Sequence, residues 1–246
     1  MKLGKIALVT GGSRGIGAAT VKALAQEGYD IAVNYNANGD AAEKVAGEAR
    51  ASGVRAITVR ADVAQEDQVV AMFETVDREL GILDVLVNNA GINGRAARVD
   101  ELTADEITAL LQTNILGPML CSREAVKRMS TKYGGAGGGI VNVSSGSAYI
   151  GNPGRRVLYA VSKGGVNSLL AGLSQEVAGE GVRVTNVAPG MTQTDMVPSA
   201  DPEMIGRIPM GRLGQPMEIA EAIVWLLSDK ASFVAGANIR IAGGRP

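Results

Sequence analysis

The sequence predicts a doubly wound α/β fold, in which helices cover both faces of a parallel sheet. Short runs rich in β-branched residues alternate with longer segments of helical periodicity along the chain, and this alternation is typical of βαβ units. Runs such as LDVLVN are almost entirely apolar, which suits strands buried on both faces. No charge run or proline-rich linker divides the 246 residues, so we expect one domain over residues 1–246.

The individual elements follow from the same alternation. Seven runs are predicted strands, namely KIALVT, DIAVNY, VRAITV, LDVLVN, GIVNVS, VRVTNV and NIRIA. Helices are predicted in GIGAATVKALAQEG, GDAAEKVAGEARASG and AQEDQVVAMFETVDREL, and near residues 103–132, 157–179 and 216–228. The least regular stretches are residues 88–102, 134–139 and 188–215. Mobile segments beside a site are expected in these stretches.

Composition argues against several classes of partner. The formal net charge is -1, and the basic residues are scattered, so neither nucleic acid nor an anionic membrane surface is an expected partner. No apolar stretch approaches the roughly 20 residues that span a bilayer. The start MKLGKIALVTGG lacks the long apolar segment of a secretory signal. A cytoplasmic location is therefore the expectation.

Two absences restrict the chemistry. The chain has no histidine and one cysteine, Cys121. An intrachain disulfide, a cysteine-cluster zinc site and every Ser-His or Cys-His nucleophile are therefore excluded, and we expect no metal site. Acid/base chemistry in this protein must use Tyr, Lys, Asp or Glu.

A glycine turn follows the first predicted strand. TGGSRGIG, residues 10–17, opens the first helix, and its glycines at 11, 15 and 17 permit a tight turn and close approach of a pyrophosphate to backbone N–H groups. A strand-to-helix connection without a ligand can also be glycine-rich. The position of the turn directly after a strand favours a dinucleotide site.

Six ordered motifs give this sequence its resemblance to a known family. They are TGGSRGIG at 10–17, NNAG at 88–91, Asn114, the serines at 144 and 145, YAVSK at 159–163 and APG at 188–190. Over essentially its whole length the chain resembles the short-chain dehydrogenase/reductase family, and within it the 3-oxoacyl acyl-carrier-protein reductases and glucose dehydrogenase-like members. The resemblance implies an oxidoreductase with a single-domain Rossmann-type sheet of about seven strands in the order 3-2-1-4-5-6-7.

The end of the second strand bears on cofactor preference. An acid at this position bonds the ribose 2′-hydroxyl of NAD, but Asn34, Tyr35 and Asn36 stand here. Family members similar to this one often contact the 2′-phosphate with an arginine at the position of Arg14. We therefore expect NADP rather than NAD, although the strand end lacks the second arginine that many NADP-using relatives carry.

The resemblance implies a set of cofactor contacts along the carboxyl edge of the sheet. They are Gly11, Ser13, Arg14, Gly15, Ile16, Gly17, Asn34, Tyr35, Asp62, Val63, Asn89, Ala90, Gly91, Tyr159, Lys163, Pro189, Gly190, Thr192 and Thr194. Two of these have an equally good structural interpretation: Asp62 could cap a helix, and Asn89 could hold the turn.

The candidate catalytic pair is Tyr159 and Lys163. Four residues apart in a helical segment, they project from one face. Free tyrosine has a pKa near 10 and is scarcely ionised at pH 7, and a neighbouring ammonium favours the phenolate. Taken alone, such a pair is usually plain helix surface. The resemblance makes Tyr159 the proton carrier and Lys163 its activator.

Two further catalytic residues follow from the resemblance. Ser145 would polarise the substrate carbonyl, with Ser144 as its rival, and Asn114 would support a water chain to the lysine. A simple helix–helix hydrogen bond is the alternative for Asn114. The loop between Ser145 and Tyr159 is one residue longer than in many relatives and carries Arg155 and Arg156.

The substrate is expected to be a small-molecule ketone or secondary alcohol. A 3-oxoacyl thioester is the leading candidate, for which Lys127, Arg128 and Lys132 could dock an acidic carrier protein, although Gln175 stands where such reductases often have arginine. A sugar or polyol dehydrogenase is the alternative, because four arginines near the pocket mouth suit a polar or anionic molecule, namely Arg95, Arg98, Arg155 and Arg156.

A different functional class is a protein that binds a dinucleotide without catalysis, as a sensor or scaffold. Such a protein would be expected to lack the catalytic residues.

The family resemblance implies a homotetramer built on the helices near 103–132 and 157–179. Residues 191–209 are the predicted substrate lid.

Overall fold

One seven-stranded parallel sheet forms the centre of the molecule. The computed structural model describes residues 4–197 and 202–245. Its strands are β1 (Ile6–Val9), β2 (Asp30–Tyr35), β3 (Ala56–Arg60), β4 (Val85–Asn88), β5 (Gly138–Val143), β6 (Val182–Pro189) and β7 (Asn238–Ile241). All six neighbouring pairs are parallel, in the order β3-β2-β1-β4-β5-β6-β7. Each predicted run overlaps one of these strands, with boundaries that differ by up to two residues at β3, β5 and β6, and the predicted order is confirmed.

Helices pack on both faces of this sheet. They are α1 (Gly15–Gln26), α2 (Gly39–Ala51), α3 (Glu66–Glu79), α4 (Ala104–Leu111), α5 (Gly117–Met129), α6 (Ser147–Ile150), α7 (Val157–Val177), α8 (Pro202–Gly206) and α9 (Pro216–Leu227). Successive strand residues point to opposite faces: Ile6 and Leu8 pack with α3, α5 and α7, whereas Ala7 and Val9 pack with α1, α2 and α9. The predicted doubly wound architecture is therefore confirmed.

The predicted helix over residues 103–132 differs from expectation in its middle. A π-helical turn, Gln112–Leu116, separates α4 from α5. Pro118 lies in the first turn of α5, and because proline has no N–H, it cannot make the α-helical hydrogen bond to the carbonyl of Asn114. A π turn inside an α-helix is frequent at functional sites. The Gly-Pro pair at 117–118 is the sequence signal for this interruption.

The topology determines where a ligand can lie. The strand order reverses between β1 and β4, and ligands of open α/β sheets lie in the crevice beyond the carboxyl ends of the strands at such a point. The glycine turn and the NNAG motif follow these two strands directly. Short α6, which we did not predict, follows β5 at the same edge. In the part of the chain that the structure describes, every helix is too short or too polar to cross a bilayer.

Candidate functional site

The glycine turn has the shape that a pyrophosphate cradle requires. Gly11 and Gly15 adopt positive φ values of 61° and 54°, a region that other residues rarely occupy. A Cβ at Gly17 would lie 2.3 Å from the Gly11 carbonyl oxygen. No acidic residue stands in the first turn of α1, so the positive end of the helix dipole is free to attract an anion. The half-buried Ser13 and Ile16 lie within this turn.

Asn34 supports the turn from below. Its side chain is buried, its Oδ1 accepts from Gly11 N at 3.1 Å, and its Nδ2 donates to the carbonyls of Val59 and Ala61. The amide is therefore committed to the protein on both sides. Tyr35 is half-buried, and its hydroxyl lies 3.2 Å from where a Cβ of Gly39 would be.

Two arginines flank the end of β2. Arg14 is exposed and makes no side-chain hydrogen bond or ion pair within the described residues. Arg60, which sequence reasoning missed, pairs in register with Tyr35 from the neighbouring strand, and its Nε donates to the Asn36 carbonyl at 3.2 Å. The end of β2 carries no arginine of its own, but Arg60 of β3 lies beside it. Only strand pairing reveals it, because 25 residues separate Tyr35 from Arg60.

Asn89 makes the structural contact considered as its alternative, but Asp62 does not cap a helix. Asp62 Oδ1 accepts from Ala64 N at 3.0 Å within the loop after β3, and Gln65 is the N-cap of α3. Asn89 Nδ2 donates to the carbonyls of Thr10 and Gly11 at 2.9 and 3.0 Å. Both of its amide hydrogens therefore hold the turn, and its oxygen remains for a ligand.

Gly91 connects the glycine turn to the candidate catalytic residues. A Cβ at Gly11 would lie 3.0 Å from Ala90 Cα, and a Cβ at Gly91 would lie 3.6 Å from Lys163 Nζ. The same Gly91 position is 3.3 Å from Asn114 Oδ1. The two halves of the predicted site are therefore one continuous surface.

Asn114 is fully buried at the π turn, and its side chain connects Ile92 with Ser162 by hydrogen bonds. Nδ2 donates to Ser162 Oγ at 3.0 Å and to the Ile92 carbonyl at 2.9 Å, while Oδ1 accepts from Ile92 N. Ser162 Oγ in turn donates to the Tyr159 carbonyl. The helix–helix hydrogen bond considered as an alternative is therefore present, and it reaches α7, the helix of Tyr159 and Lys163.

Tyr159 and Lys163 share one face of α7, as their spacing predicts. Lys163 is buried, with Nζ 5.8 Å from the Tyr159 ring centroid, and it donates to the Val143 carbonyl at 2.7 Å. Burial lowers the pKa of Lys163 to about 8. An ammonium with so low a pKa can exchange its proton near neutral pH.

The pKa of Tyr159 moves in the direction opposite to our expectation. Burial raises it above the usual 10, while hydrogen bonding with Ser145 and the charge of Arg156 lower it. The expected lowering by Lys163 is absent from these causes. Burial dominates because the phenolate would lose hydration in the protein interior. Arg156, in the loop before α7, is thus a positive charge that acts on the tyrosine.

Ser145 and Ser144 have different surroundings. Ser145 is half-buried, and its Oγ accepts from Ser147 N at 3.1 Å, so its hydroxyl hydrogen remains to donate to Tyr159 or to a substrate oxygen. Ser144 is buried and donates to Asn167 Oδ1 at 2.6 Å and to the Lys163 carbonyl at 3.3 Å. Ser145 is therefore the serine that can meet a substrate.

A buried row of asparagines, which sequence reasoning missed, lies beneath these serines. Register pairs Asn88 with Asn142, Asn142 with Asn186, and Asn186 with Asn238 across four strands. Amide hydrogen bonds of 2.9 Å join the first two pairs, and Asn167 accepts from Asn238 at 2.8 Å. Polar residues inside otherwise apolar strands were the available signal, since buried amides need partners.

The segment after β6 closes against the glycine turn. Gly190 packs so tightly that a Cβ there would lie 2.8 Å from Ala242 Cα, and its N–H donates to the Ile241 carbonyl. Thr192 is buried, and its Oγ1 donates a hydrogen bond to the Gly190 carbonyl. Thr194 Cγ2 would lie 3.3 Å from a Cβ at Gly15. Thr194 thus lies beside the glycine turn. Within the predicted lid, 198–201 lie outside the described residues.

The four arginines near the pocket mouth differ in how their charge is balanced. Arg95 pairs with Glu106 at 2.7 Å, and Arg98 pairs with Asp100 at 3.0 Å. Arg155 is exposed. Arg156 is half-buried, and its Nη1 donates hydrogen bonds to the carbonyls of Asn93 and Gly94. Of these four arginines, Arg155 and Arg156 have no carboxylate partner in residues 4–197 and 202–245.

The predicted basic docking surface is largely neutralised. Lys127 pairs with Glu124, and Arg128 pairs with Asp77 and Glu124 at 2.7 and 3.1 Å. Lys132 remains exposed beside Tyr133. A carrier protein would therefore meet less positive charge than the sequence suggests.

Comparisons with known proteins agree with this geometry. The model of the short chain dehydrogenase family matches residues 5–204. The chain is 53% identical to the uncharacterized oxidoreductase YgfF of Escherichia coli (98% of this chain, 99% of the relative) and 40% identical to the 3-oxoacyl acyl-carrier-protein reductase of Staphylococcus aureus (99% of each). A short chain dehydrogenase of Burkholderia cenocepacia, solved in complex with NADP, superimposes with a TM-score of 0.92, 34% identity and 99% coverage of each chain.

Proposed function

Since this chain belongs to the short-chain dehydrogenase/reductase family and is an oxidoreductase, we propose that it transfers a hydride reversibly between NADP(H) and a ketone or secondary alcohol. The observation that carries this proposal is the position of Gly91. Its backbone lies against Lys163 and Asn114 and directly follows Ala90, which lies against Gly11. A dinucleotide on the glycine turn would therefore extend toward the catalytic tyrosine.

Each catalytic residue has one task at the substrate oxygen. The reduced nicotinamide, when bound, supplies the hydride that reaches the carbonyl carbon. Tyr159 gives its phenolic proton to the carbonyl oxygen, and Ser145 donates a hydrogen bond to the same oxygen. Lys163 returns a proton to the tyrosine, since its pKa of about 8 permits exchange near neutral pH. Asn114 positions α7 through Ser162.

The proposal includes a preference for NADP over NAD. Arg14 and Arg60 flank the end of β2, where no acid stands at residues 34–36. Two guanidinium groups suit a 2′-phosphate, which they can bind with charge-assisted hydrogen bonds. Initial rates with NADPH and NADH at equal concentration test the preference. Arg60→Gln should raise KM for NADPH about tenfold and leave that for NADH unchanged, and faster turnover by the wild type with NADH would refute the preference.

Two substrate classes deserve testing. A 3-oxoacyl thioester is supported by the 40% identical reductase of Staphylococcus aureus, whereas the neutralised surface around Arg128 speaks against docking of an acidic carrier. A sugar, polyol or other polar molecule is supported by Arg156 of the loop before α7. An NADPH-oxidation screen should pair acetoacetyl thioesters with keto-sugars and small diketones.

The same screen separates an enzyme from a cofactor-binding sensor or scaffold. We expect turnover of at least one ketone, and Tyr159→Phe should lower it by a factor of about 10² to 10⁴ while NADPH still binds. Tight NADPH binding by the wild type without turnover of any ketone would favour the non-catalytic alternative.

We propose that the protein is a cytoplasmic homotetramer. Each chain would be one dinucleotide-binding and catalytic domain, and residues 191–209 would form a substrate lid. Exposed apolar side chains support association: Leu116 and Met119 lie at the α4–α5 junction, and Phe233 is fully exposed on another part of the surface. Apolar patches of this kind on a folded chain commonly mark protein–protein contacts.

A further inference from the structure

The loop between α6 and α7 places one arginine close to Tyr159 along the chain. Gly151, Asn152 and Gly154 all adopt positive φ, at 70°, 46° and 76°, so the chain turns sharply between α6 and α7. The backbone N–H of Arg156 donates to the Asn152 carbonyl at 3.1 Å. This turn places Arg156 at the N-cap of α7, three residues before Tyr159.

The guanidinium of Arg156 is anchored on one side and free on the other. Nη1 donates to the carbonyls of Asn93 and Gly94, both at 3.1 Å, which accounts for its two hydrogens. Nε and Nη2 donate to no atom in the described part of the chain. These two nitrogens present the parallel pair of N–H groups that a carboxylate accepts in a bidentate arrangement.

In the part of the chain that the structure describes, no carboxylate compensates the charge of Arg156. Carbonyl oxygens orient a guanidinium without neutralising it, and a half-buried charge without a counter-ion is costly. Arg95 and Arg98 on the neighbouring segment each have a carboxylate partner. Arg156 differs from both of them, and its charge also reaches Tyr159.

Residues 92–97, whose Asn93 and Gly94 carbonyls accept from Arg156, form a wall of the candidate active site. Asn114 binds both the N–H and the carbonyl of Ile92, Arg156 binds the next two carbonyls, and the Arg155 carbonyl accepts from Ala97 N at 2.8 Å. Residues 92–97 are thus fixed at three points between the catalytic helix and the π turn. A molecule reacting at Tyr159 would lie against this wall.

We propose that Arg156 is the specificity-determining residue of this site and that the preferred ketone carries a carboxylate, which binds Nε and Nη2 while its carbonyl faces Tyr159. This inference rests on the proposed function and narrows its substrate to one class, the oxo acids. The carboxylate would supply the missing counter-ion. It would also fix the distance between the anionic end and the reacting carbon.

The test compares each oxo acid with its own methyl ester, which keeps the shape and removes the charge. The substrates are 4-oxopentanoate, 5-oxohexanoate and 6-oxoheptanoate with their methyl esters, assayed by NADPH oxidation. For the wild type, we expect kcat/KM to favour the acid about tenfold or more at one chain length. Equal or better use of the ester at every length would overturn the proposal without the need for any variant.

Variants separate substrate recognition from support of the loop. Arg156→Gln should lower kcat/KM for the preferred acid about tenfold or more and change that for its ester less than about threefold, and Arg156→Lys should restore part of the loss. Arg155→Gln, which removes the adjacent exposed charge, is the matched control and should leave the acid-to-ester ratio unchanged. An equal loss for acid and ester in Arg156→Gln would show that the residue only holds residues 93–94.

The proposed function can fail separately from this inference. If the wild type reduces neutral ketones and esters but shows no acid preference, the role of Arg156 is refuted and the reductase activity stands. If it reduces no ketone at all, the proposed function is refuted, and this inference falls with it.

Discussion

The buried ammonium of Lys163 lowers the free energy of unfolding of this protein. It is buried, and its ammonium is hydrogen-bonded to one backbone carbonyl, that of Val143. A buried ammonium is less stable than a hydrated one, which is why the pKa of Lys163 falls to about 8. Between about pH 8 and 10.5, the unfolded chain therefore holds more protons at this residue than the folded chain does. Stability attributable to this residue rises with pH across that window and is at its lowest below it.

We accordingly expect Lys163→Met to be more stable than the wild type at pH 7. The gain should be roughly 1–3 kcal/mol, after the lost hydrogen bond to Val143, and it should shrink as the pH approaches 10. Urea unfolding of the cofactor-free protein at pH 7 and pH 10 measures both values. Lys44→Met, at an exposed position of α2, controls for the change in net charge. A less stable Lys163→Met at pH 7 would contradict the argument.

The pKa of Tyr159 supplies a second prediction for a single residue. Burial raises it, and the charge of Arg156 is one of the two influences that lower it. Removing that charge in Arg156→Gln should raise the pKa of Tyr159 further. In alcohol oxidation, where the phenolate accepts the proton, the rise of kcat/KM with pH should therefore move to higher pH. A profile that stays in place, or that moves equally in Arg155→Gln, would exclude this electrostatic effect.

At the scale of elements, the site depends on two departures from regular structure. The connection from β1 to α1 is compact enough that Gly17 touches the carbonyl of Gly11. The long helix after residue 103 contains the π turn Gln112–Leu116, where the buried Asn114 bonds to Ile92 and Ser162. Each departure brings backbone from one element against a residue of another, and together they bring the glycine turn close to α7, which carries Tyr159 and Lys163.

Gly17→Ala tests the compactness of the turn. Its Cβ would lie 2.3 Å from Gly11 O and 2.5 Å from Asn89 Nδ2, so the turn must open. We expect a loss of about 2 kcal/mol or more in the free energy of unfolding, together with weaker NADPH binding in a fluorescence titration. Gly47→Ala is the control, because Gly47 lies in α2 with no atom within 4 Å of a new Cβ. That substitution should stabilise the protein by up to about 1 kcal/mol and leave binding unchanged.

The distribution of exposed apolar residues has consequences for the whole molecule. Leu116 and Met119, together with Leu111 and Ile115, line a groove at the α4–α5 junction. We expect a tetramer in light scattering at micromolar concentration, and Leu116→Glu combined with Met119→Glu should reduce the particle mass to that of a dimer or monomer. Lys44→Glu, on exposed α2, should leave the mass unchanged. A wild-type chain that is monomeric at these concentrations would exclude the proposed assembly.

The sequence by itself determined the architecture and the family. Alternating periodicities predicted all seven strands and the two helical layers, because the burial of apolar side chains imposes those periods locally. The ordered glycine, serine, tyrosine and lysine motifs predicted a dinucleotide reductase, and the absence of histidine left Tyr159 as the natural proton carrier. Each of these inferences depends on neighbours within a few residues or on the order of motifs along the chain.

Only the tertiary structure decided how distant residues act on one another. It brought Arg60 beside the end of β2 and formed the asparagine row across four strands. It also assigned the charge that acts on Tyr159 to Arg156, and withdrew Lys127 and Arg128 into ion pairs. Hydrogen bonding, desolvation and charge pairing depend on distance in space, and a linear pattern does not encode which side chains have already been paired.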